Sequence, residues 1–340
     1  MMKKLALIPA IFVLVTCASK PLEYEHAKDL GKIEAYDKLI QVKDLPTDAP
    51  PAVATPVAET PKSPAPAVPK AKFSKKAKKV KKVEIDPSIH LPDLEDGEGF
   101  VGRRPTIDPF RVGEKITMMM TYFGVSAGDM ILEVKPFKEV NGNKSYHMMV
   151  TLKSSDLFSL VYLVDDYGET FIDYENFTPY NANISATESK KLLALKTVFD
   201  FKKNKGYRWE RLVNKGEAPR ERNVEWDILP FSQNVISAFY YVRAFTLRPG
   251  KVFRFHVADD GKNMNVKIEV LRKEKIKTRV GEFNTLVLKP TVEIGGIFQP
   301  MGDVLFWVTD DERKLYVKLE AQIKIGKVIG VLKSLEKGGP

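Results

Sequence analysis

The 340-residue chain holds a single cysteine and only four histidines, and that scarcity excludes several chemistries at the outset. One cysteine makes no disulfide within the chain. His26, His90, His147 and His256 are scattered, with no pair at metal-ligand spacing, so a zinc site is not expected. No Gly-x-Ser-x-Gly elbow is read in the chain, His147 and His256 stand isolated on strand-like patterns, and a nucleophile without a neighbouring base is not activated, so nucleophilic catalysis is not expected. No glycine loop of the phosphate-cradling kind is present, and no cofactor is expected. Long apolar runs are also missing. The longest opens the chain, Leu5 to Val15, and is too short to cross a bilayer as a helix.

Positive charge is abundant but unevenly placed. The net charge is +10, and residues 70–82, KAKFSKKAKKVKK, hold eight lysines and no acid. The remainder of the chain therefore carries a net +2, too little for the basic face that phosphate-dominated binding requires. A nucleic-acid partner is not expected. The cluster itself (Lys75, Lys76, Lys78, Lys79, Lys81 and Lys82 at its heart) has two readings. It is a contact for an anionic surface such as phospholipid, lipopolysaccharide or peptidoglycan, or it is a solvated, self-repelling linker.

Lys3 and Lys4 followed by the short apolar run form the pattern of a secretory signal. It ends at Leu14-Val15-Thr16-Cys17, which resembles a bacterial lipobox. Residues 1–16 are read as the signal peptide and Cys17 as the lipidation site, although Thr16 replaces the usual small Gly or Ala. An unpaired thiol is a liability in an oxidising compartment, and lipidation removes it. Two or more acyl chains hold a protein to a membrane where one does so only marginally. By resemblance to lipoproteins of Gram-negative bacteria, Ala18 rather than Asp after the cysteine implies the outer membrane, with the protein facing the periplasm.

Residues 17–100 are read as the lipidated N-terminus and a disordered tether, with a short helix within Tyr24–Val42. Residues 45–70 are rich in Pro and Ala, which build neither a core nor a continuous helix. Fully extended, that tract reaches roughly 80 Å at ~3.1 Å per residue.

From Ile107 the pattern becomes period two. Tyr146, Met148, Val150 and Leu152 alternate with His147, Met149, Thr151 and Lys153, and similar runs recur to Ile325. Turn signals such as Asn141-Gly142-Asn143 and Asp259-Asp260-Gly261 separate them. Helical spacing interrupts at Asp156–Val164 and Phe231–Phe245. Residues 101–336 are thus expected to be mainly β: one or more curved antiparallel sheets, open-barrel or sandwich-like, with two packing helices. The pairs Asp165-Asp166 and Asp310-Asp311 are read as turn caps.

The stretch Gly113-Glu114-x-Ile116 … Tyr122-Phe123-Gly124-Val125-x-Ala127-Gly128 resembles the opening motif of domain-of-unknown-function family 3108 (DUF3108). Phe158-Ser159-x-x-Tyr162-x-Val164-Asp165-Asp166, Ser237-Ala238-Phe239-Tyr240-Tyr241-Val242-Arg243 and Gly302-Asp303-x-Leu305-x-Trp307 resemble its later landmarks. The resemblance implies a secreted, β-rich envelope domain and brings no catalytic residues.

Function is left with three readings. Met118, Met119 and Met120 put flexible apolar chains on both faces of one strand. A sheet offering an apolar concavity to a lipid or another hydrophobic component is therefore expected, with Met118, Met120, Tyr122 and Met148 as contacts. A sheet buried on both faces explains the same methionines. The second reading is a structural protein tethering the outer membrane to cell wall or to an envelope assembly. The third is an enzyme acting on envelope polymers, which needs a cleft that gathers two carboxylates or a Ser/His pair.

Overall fold

The computed structural model describes residues 33–45, 96–294, 297–300, 304–323 and 326–339. Cys17 and the lysine cluster lie outside the described residues. Helix α1 (Glu34–Leu39) and strand β1 (Val42–Asp44) come first, then a small hairpin of β2 (Phe100–Val101) and β3 (Arg104–Pro105). A meander follows: β4 (Glu114–Tyr122), β5 (Val125–Val140), β6 (Asn143–Ser154), the one-turn α2 (Asp156–Ser159), β7 (Val164–Asp173), β8 (Asn181–Glu188), β9 (Lys191–Asp200), β10 (Lys205–Asn214) and β11 (Arg220–Asp227). Helix α3 (Val235–Tyr241) leads to β12 (Val252–Asp259), β13 (Lys262–Lys277), β14 (Glu282–Ile294), β15 (Ile297–Pro300), β16 (Val304–Thr309), β17 (Tyr316–Gln322) and β18 (Lys327–Lys337).

All but β2 and β3 join one antiparallel sheet, in the order β11 to β4, then β18, β17, β16, β14, β13 and β12. Period-two alternation builds it, because one face of each strand turns to a shared core. The expected mainly-β architecture of an open, curved sheet is what forms. The sheet is not closed into a barrel. Its end strands approach through side chains instead: Arg208 Nη1 donates to Asp259 Oδ1 at 3.1 Å, Arg222 pairs with Asp260, and Asn263 Nδ2 donates to the Asp227 carbonyl at 2.8 Å. Gln233 covers the β12 edge, donating to the His256 carbonyl and accepting from Ala258 N–H, each at 2.8 Å. Charges and covered amides keep these edges from pairing with other chains.

Helix α3 fills the hollow of the curl. Asn234 caps it, its Oδ1 accepting from Ile236 and Ser237 N–H at 2.8 Å each, and Ser237 Oγ accepts in return from Asn234 N–H. This reciprocal cap satisfies the donors at the helix start. Tyr240 donates to the Met149 carbonyl at 2.7 Å, and a Cβ on Gly168 would come within 2.9 Å of Ile236 Cδ1. Glycine is what lets the helix lie this close to β7. The expected helix Phe231–Phe245 is thus shorter, continuing only as a 3-10 turn at Val242–Ala244.

Residues 33–45 pack on the outer face. Strand β1 pairs with Lys138–Val140 of β5, beyond the point where β4 begins. Tyr36 inserts among Val140, Phe171 and Val198 and donates to Asn183 Oδ1 at 3.0 Å. The Pro/Ala/Lys tract therefore runs between two docked parts of the chain. Only residues 18–32 separate Cys17 from the sheet, about 50 Å at full stretch. The 80 Å reach expected of the tract is not available between Cys17 and the domain.

Candidate functional site

At one end of the curl the core opens into a groove of about 620 Å³ whose walls are almost wholly carbon. That volume is in the range of small-molecule sites. Met120 and Tyr122 of β4, Leu152 of β6 and Val164 of β7 form its floor and sides. Phe158, Val161 and Tyr162 of the connector between β6 and β7 cover one flank, and Ile323 and Val328 the other.

Local rules fix this geometry. Phe123 and Gly124 turn with φ of 49° and 77°, a tight hairpin between β4 and β5. The Phe123 ring lies over Gly326, where a Cβ would stand 2.8 Å from Cζ. Gly128 has φ 159°, close to extended, but a Cβ there would meet the Lys153 carbonyl oxygen at 2.1 Å. Only glycine permits that approach of β5 to β6. Ser154 Oγ accepts from Val164 N–H at 3.0 Å, and Ser155 Oγ caps α2 by accepting from Phe158 N–H at 3.3 Å. The connector is stapled at its base.

Its apolar side chains nevertheless face out. Leu157 is 70% exposed and Val161 76%, and Phe123 across the groove is 67% exposed. Leu160 and Val125, next to these residues in the chain, are exposed as well. Single exposed apolar residues need no explanation, but a contiguous set around an apolar groove marks an interaction site.

A polar cluster lies beside the groove, behind its lining. Val164 and Asp166 share one face of β7, and Leu152 is the ladder partner of Asp166. Asp166 Oδ1 is buried with no hydrogen-bond partner among the described residues. Tyr162 donates to Glu188 Oε2 at 2.6 Å, and Lys191 Nζ lies 2.6 Å from Glu188 Oε1. Burial first and the Glu188 charge second push the Asp166 carboxyl up to about 6, against the pull of Lys191. Burial and Glu188 likewise raise the Tyr162 phenol to about 12.

Two further clusters lie elsewhere. On the outer face His147 Nε2 is 3.0 Å from Glu169 Oε2, which also accepts from Tyr167 at 2.8 Å. Burial works to raise Glu169, but the His147 and Tyr167 hydrogen bonds prevail and hold it below the usual carboxylate range. Asn183 links this cluster to Tyr36, so it fastens α1. A larger cleft of about 720 Å³ runs beside α1. It is walled by polar residues such as Asn141, Lys144, Glu175 and Lys202 and lacks the apolar rim. Among the described residues no group of three His, Cys, Asp or Glu side chains is placed to hold a metal ion, and no helix is long and apolar enough to cross a membrane.

Of the four apolar contacts expected from sequence, Met120 and Tyr122 line the groove. Met118 and Met148 do not. They share the inner face but lie deeper, wholly buried in the core. Asp311 caps a turn as expected, accepting from Arg313 and Lys314 N–H. Asp165 and Asp166 instead lie within β7. The reading against nucleophilic catalysis overlooks one match, because Gly124-Val125-Ser126-Ala127-Gly128 spells Gly-x-Ser-x-Gly. That motif works on a strand-to-helix turn, whereas here it joins strand to strand. His147 sits seven residues along β6 from Ser154, the partner of Gly128, roughly 23 Å away at strand rise.

A family model described as "Protein of unknown function (DUF3108)" matches residues 117–333, more than half of the chain, and the chain belongs to that family. No match to a curated protein is found. Among solved structures, a beta-barrel-like protein of domain of unknown function DUF1849 from Brucella abortus is 10% identical, with 67% of this chain and 98% of that one covered at a TM-score of 0.43. A "putative exported protein with YmcC-like fold" from Bacteroides fragilis is 10% identical, with 68% and 99% covered at 0.30. A "putative lipoprotein" from Parabacteroides distasonis is 11% identical, with 68% and 99% covered at 0.28. At these scores the likenesses are loose and say nothing of this chain's activity.

Proposed function

We propose that this DUF3108 protein is an envelope lipoprotein whose curved sheet holds the acyl chain of a lipid in the groove between Met120, Leu152 and Val164. The observation that carries this reading is the groove itself, a carbon-walled space open to solvent and ringed by exposed Phe123, Leu157 and Val161. An acyl chain placed there gains ~0.8 kcal/mol per CH₂ removed from water. Anchoring through Cys17 to the outer membrane, facing the periplasm, belongs to the same proposal. It rests on the lipobox-like sequence. The tethering role ranks second. The tether and the lysine cluster motivate it, and the docking of residues 33–45 on the sheet leaves the Pro/Ala tract's reach outside the link from Cys17 to the domain.

The test is native mass spectrometry of the full chain purified from bacterial envelopes. A bound species of lipid mass that solvent extracts supports the reading. A clean apo mass from several preparations, with lipid offered in excess, sinks it.

A further inference from the structure

The two ends of the curled sheet are built differently. Beside α1 the connections between strands are polar and exposed: Asn141-Gly142, Glu175-Asn176 and Lys202-Lys203-Asn204. At the groove end they carry carbon, with Phe123, Val125, Leu157, Leu160, Val161 and Ile323 all exposed. Backbone contacts hold these residues together. Ser155 N–H donates to the Ala127 carbonyl at 2.9 Å, which ties the α2 connector to the start of β5. Phe123 lies over Gly326, whose carbonyl accepts from Ile323 N–H at 3.1 Å. Val161 and Ile323 also line the groove, so rim and groove form one apolar surface.

Phe123 is held there at a local cost. It takes φ of 49° ahead of Gly124 at 77°, the left-handed pair that Asn141-Gly142 forms at 52° and 86° and Asp260-Gly261 at 51° and 74°. Asn and Asp suit that conformation, and a bulky aromatic does not. An exposed ring kept in a strained turn points to a contact outside the chain.

Three features fit that contact to a bilayer. The exposed set is Phe, Leu, Val and Ile on separate turn tips, without the Trp, Tyr and Arg anchors that dominate protein–protein interfaces. The acids around it are largely neutralised: Glu188 pairs with Lys191, Glu217 with Arg220, Glu320 with Lys327 and Asp129 with Lys333. Lys153, Lys190 and Lys215 make no ion pair among the described residues, against only Asp156 and Asp165, a slight positive excess that suits anionic head groups. The third feature is reach. Residues 18–32 extend to about 50 Å at full stretch, and β5 from Val125 to Val140 spans about 50 Å at strand rise. A domain held through Cys17 can therefore bring its rim to the same membrane, at the raised local concentration that a tether provides.

We propose that the rim is a membrane-docking surface, with Phe123, Leu157, Leu160 and Val161 among the upper acyl carbons and the groove opening directly into lipid. This goes beyond the acyl-chain reading, supplying the route by which a chain enters without crossing water, and it rests on the Cys17 anchor proposed with it.

The experiment reconstitutes the full-length protein, purified from bacterial envelopes, into vesicles of phosphatidylethanolamine and phosphatidylglycerol. A nitroxide is placed in turn on Phe123→Cys, Leu157→Cys and Val161→Cys, and on Val42→Cys at the other end of the sheet. The parent, whose lone thiol is Cys17, is the labelling blank. Collisions are read with oxygen, which concentrates in the bilayer, and with a water-soluble nickel chelate. The expected result is oxygen contact over nickel contact at the three rim sites and the reverse at Val42→Cys. Adding Leu157→Asp and Val161→Asp together is expected to return the Phe123→Cys label to nickel contact, because a carboxylate is costly within the acyl region. Rim labels as open to nickel as Val42→Cys, or shielded from both reagents as under a protein partner, overturn the docking and leave the anchor standing. Protein that fails to float with the vesicles overturns both. Neither outcome bears on lipid in the groove, which native mass spectrometry reads separately.

Discussion

Arg243 holds both carboxylate oxygens of Glu114, Nη1 to Oε1 at 2.7 Å and Nη2 to Oε2 at 2.9 Å, with neither side chain reached by solvent. The two residues lie 129 positions apart. Arg243 also donates to the Pro109 and Arg313 carbonyls, and Arg313 Nη2 donates to Glu114 Oε2 at 2.5 Å. This clasp ties the segment after α3 to the first strand of the sheet and to the β16–β17 turn, so α3 cannot leave the hollow without breaking it. Removing one partner of a buried, hydrogen-bonded pair strands a charge. Arg243→Met is expected to cost about 3–5 kcal/mol in urea unfolding, and adding Glu114→Gln to it is expected to recover part of that loss. An unchanged midpoint in the single variant contradicts the clasp.

Asp166 links stability to pH. Its folded value of about 6 lies above its ordinary value of 3.8, so the folded state binds this proton more tightly than the unfolded chain. The stabilisation is fully present below about pH 4 and is lost as pH rises through about 6. Asp166→Asn is therefore expected to be more stable than the parent at about pH 8, by on the order of 1 kcal/mol once solvent screening is allowed for. Near pH 4 the two are expected to unfold alike. Denaturant titrations at the two pH values read this directly, with Glu188, Lys191, Asp165 and Tyr162 left intact.

Filling the groove separates binding from folding. Ala127 lines it at the start of β5, and Ala127→Trp is expected to displace co-purifying lipid while shifting the unfolding midpoint little. Lipid retained at the parental level in a folded Ala127→Trp protein argues for a different site.

Tyr36 fastens the N-terminal segment by packing against Phe171 and by donating to Asn183. Tyr36→Ala is expected to free α1 and β1, read as rapid proteolysis near residues 33–45 with the remaining domain intact. Equal resistance in parent and variant would show that β1 pairing alone holds the segment.

Much of this architecture is legible in the sequence, and the reasons for the exceptions are physical. Strands with clean alternation, such as Tyr146-Met148-Val150-Leu152, are read correctly because one face is buried along their whole length. β11 escapes notice because it is an end strand whose sequence, RERNVEWD, is charged on both faces. β18 escapes because Gly330 interrupts its pattern. The structure supplies the reason for that glycine, since a Cβ there would press on Met120 Sδ at 2.8 Å. The groove was half visible. Met120 and Tyr122 stand out by composition, but depth along a strand is set by the shared core, in which Met118 and Met148 are wholly buried while Met120 reaches the groove. Asp166 reads in the sequence only as a turn cap. Its place beside Leu152 is a matter of β6–β7 register, and no local signal reports which carboxylate a neighbouring strand will bury.

The central claim is that an acyl chain lies in the groove, and photolabelling tests it most directly. Full-length protein is irradiated with a fatty acid that carries a diazirine near its methyl end, and the adducts are mapped by peptide mass spectrometry. The account predicts adducts concentrated on Met120, Leu152 and Phe158, abolished by excess unlabelled fatty acid and by Ala127→Trp. Adducts spread over the outer face, or clustered beside α1 and insensitive to both competitors, would contradict it.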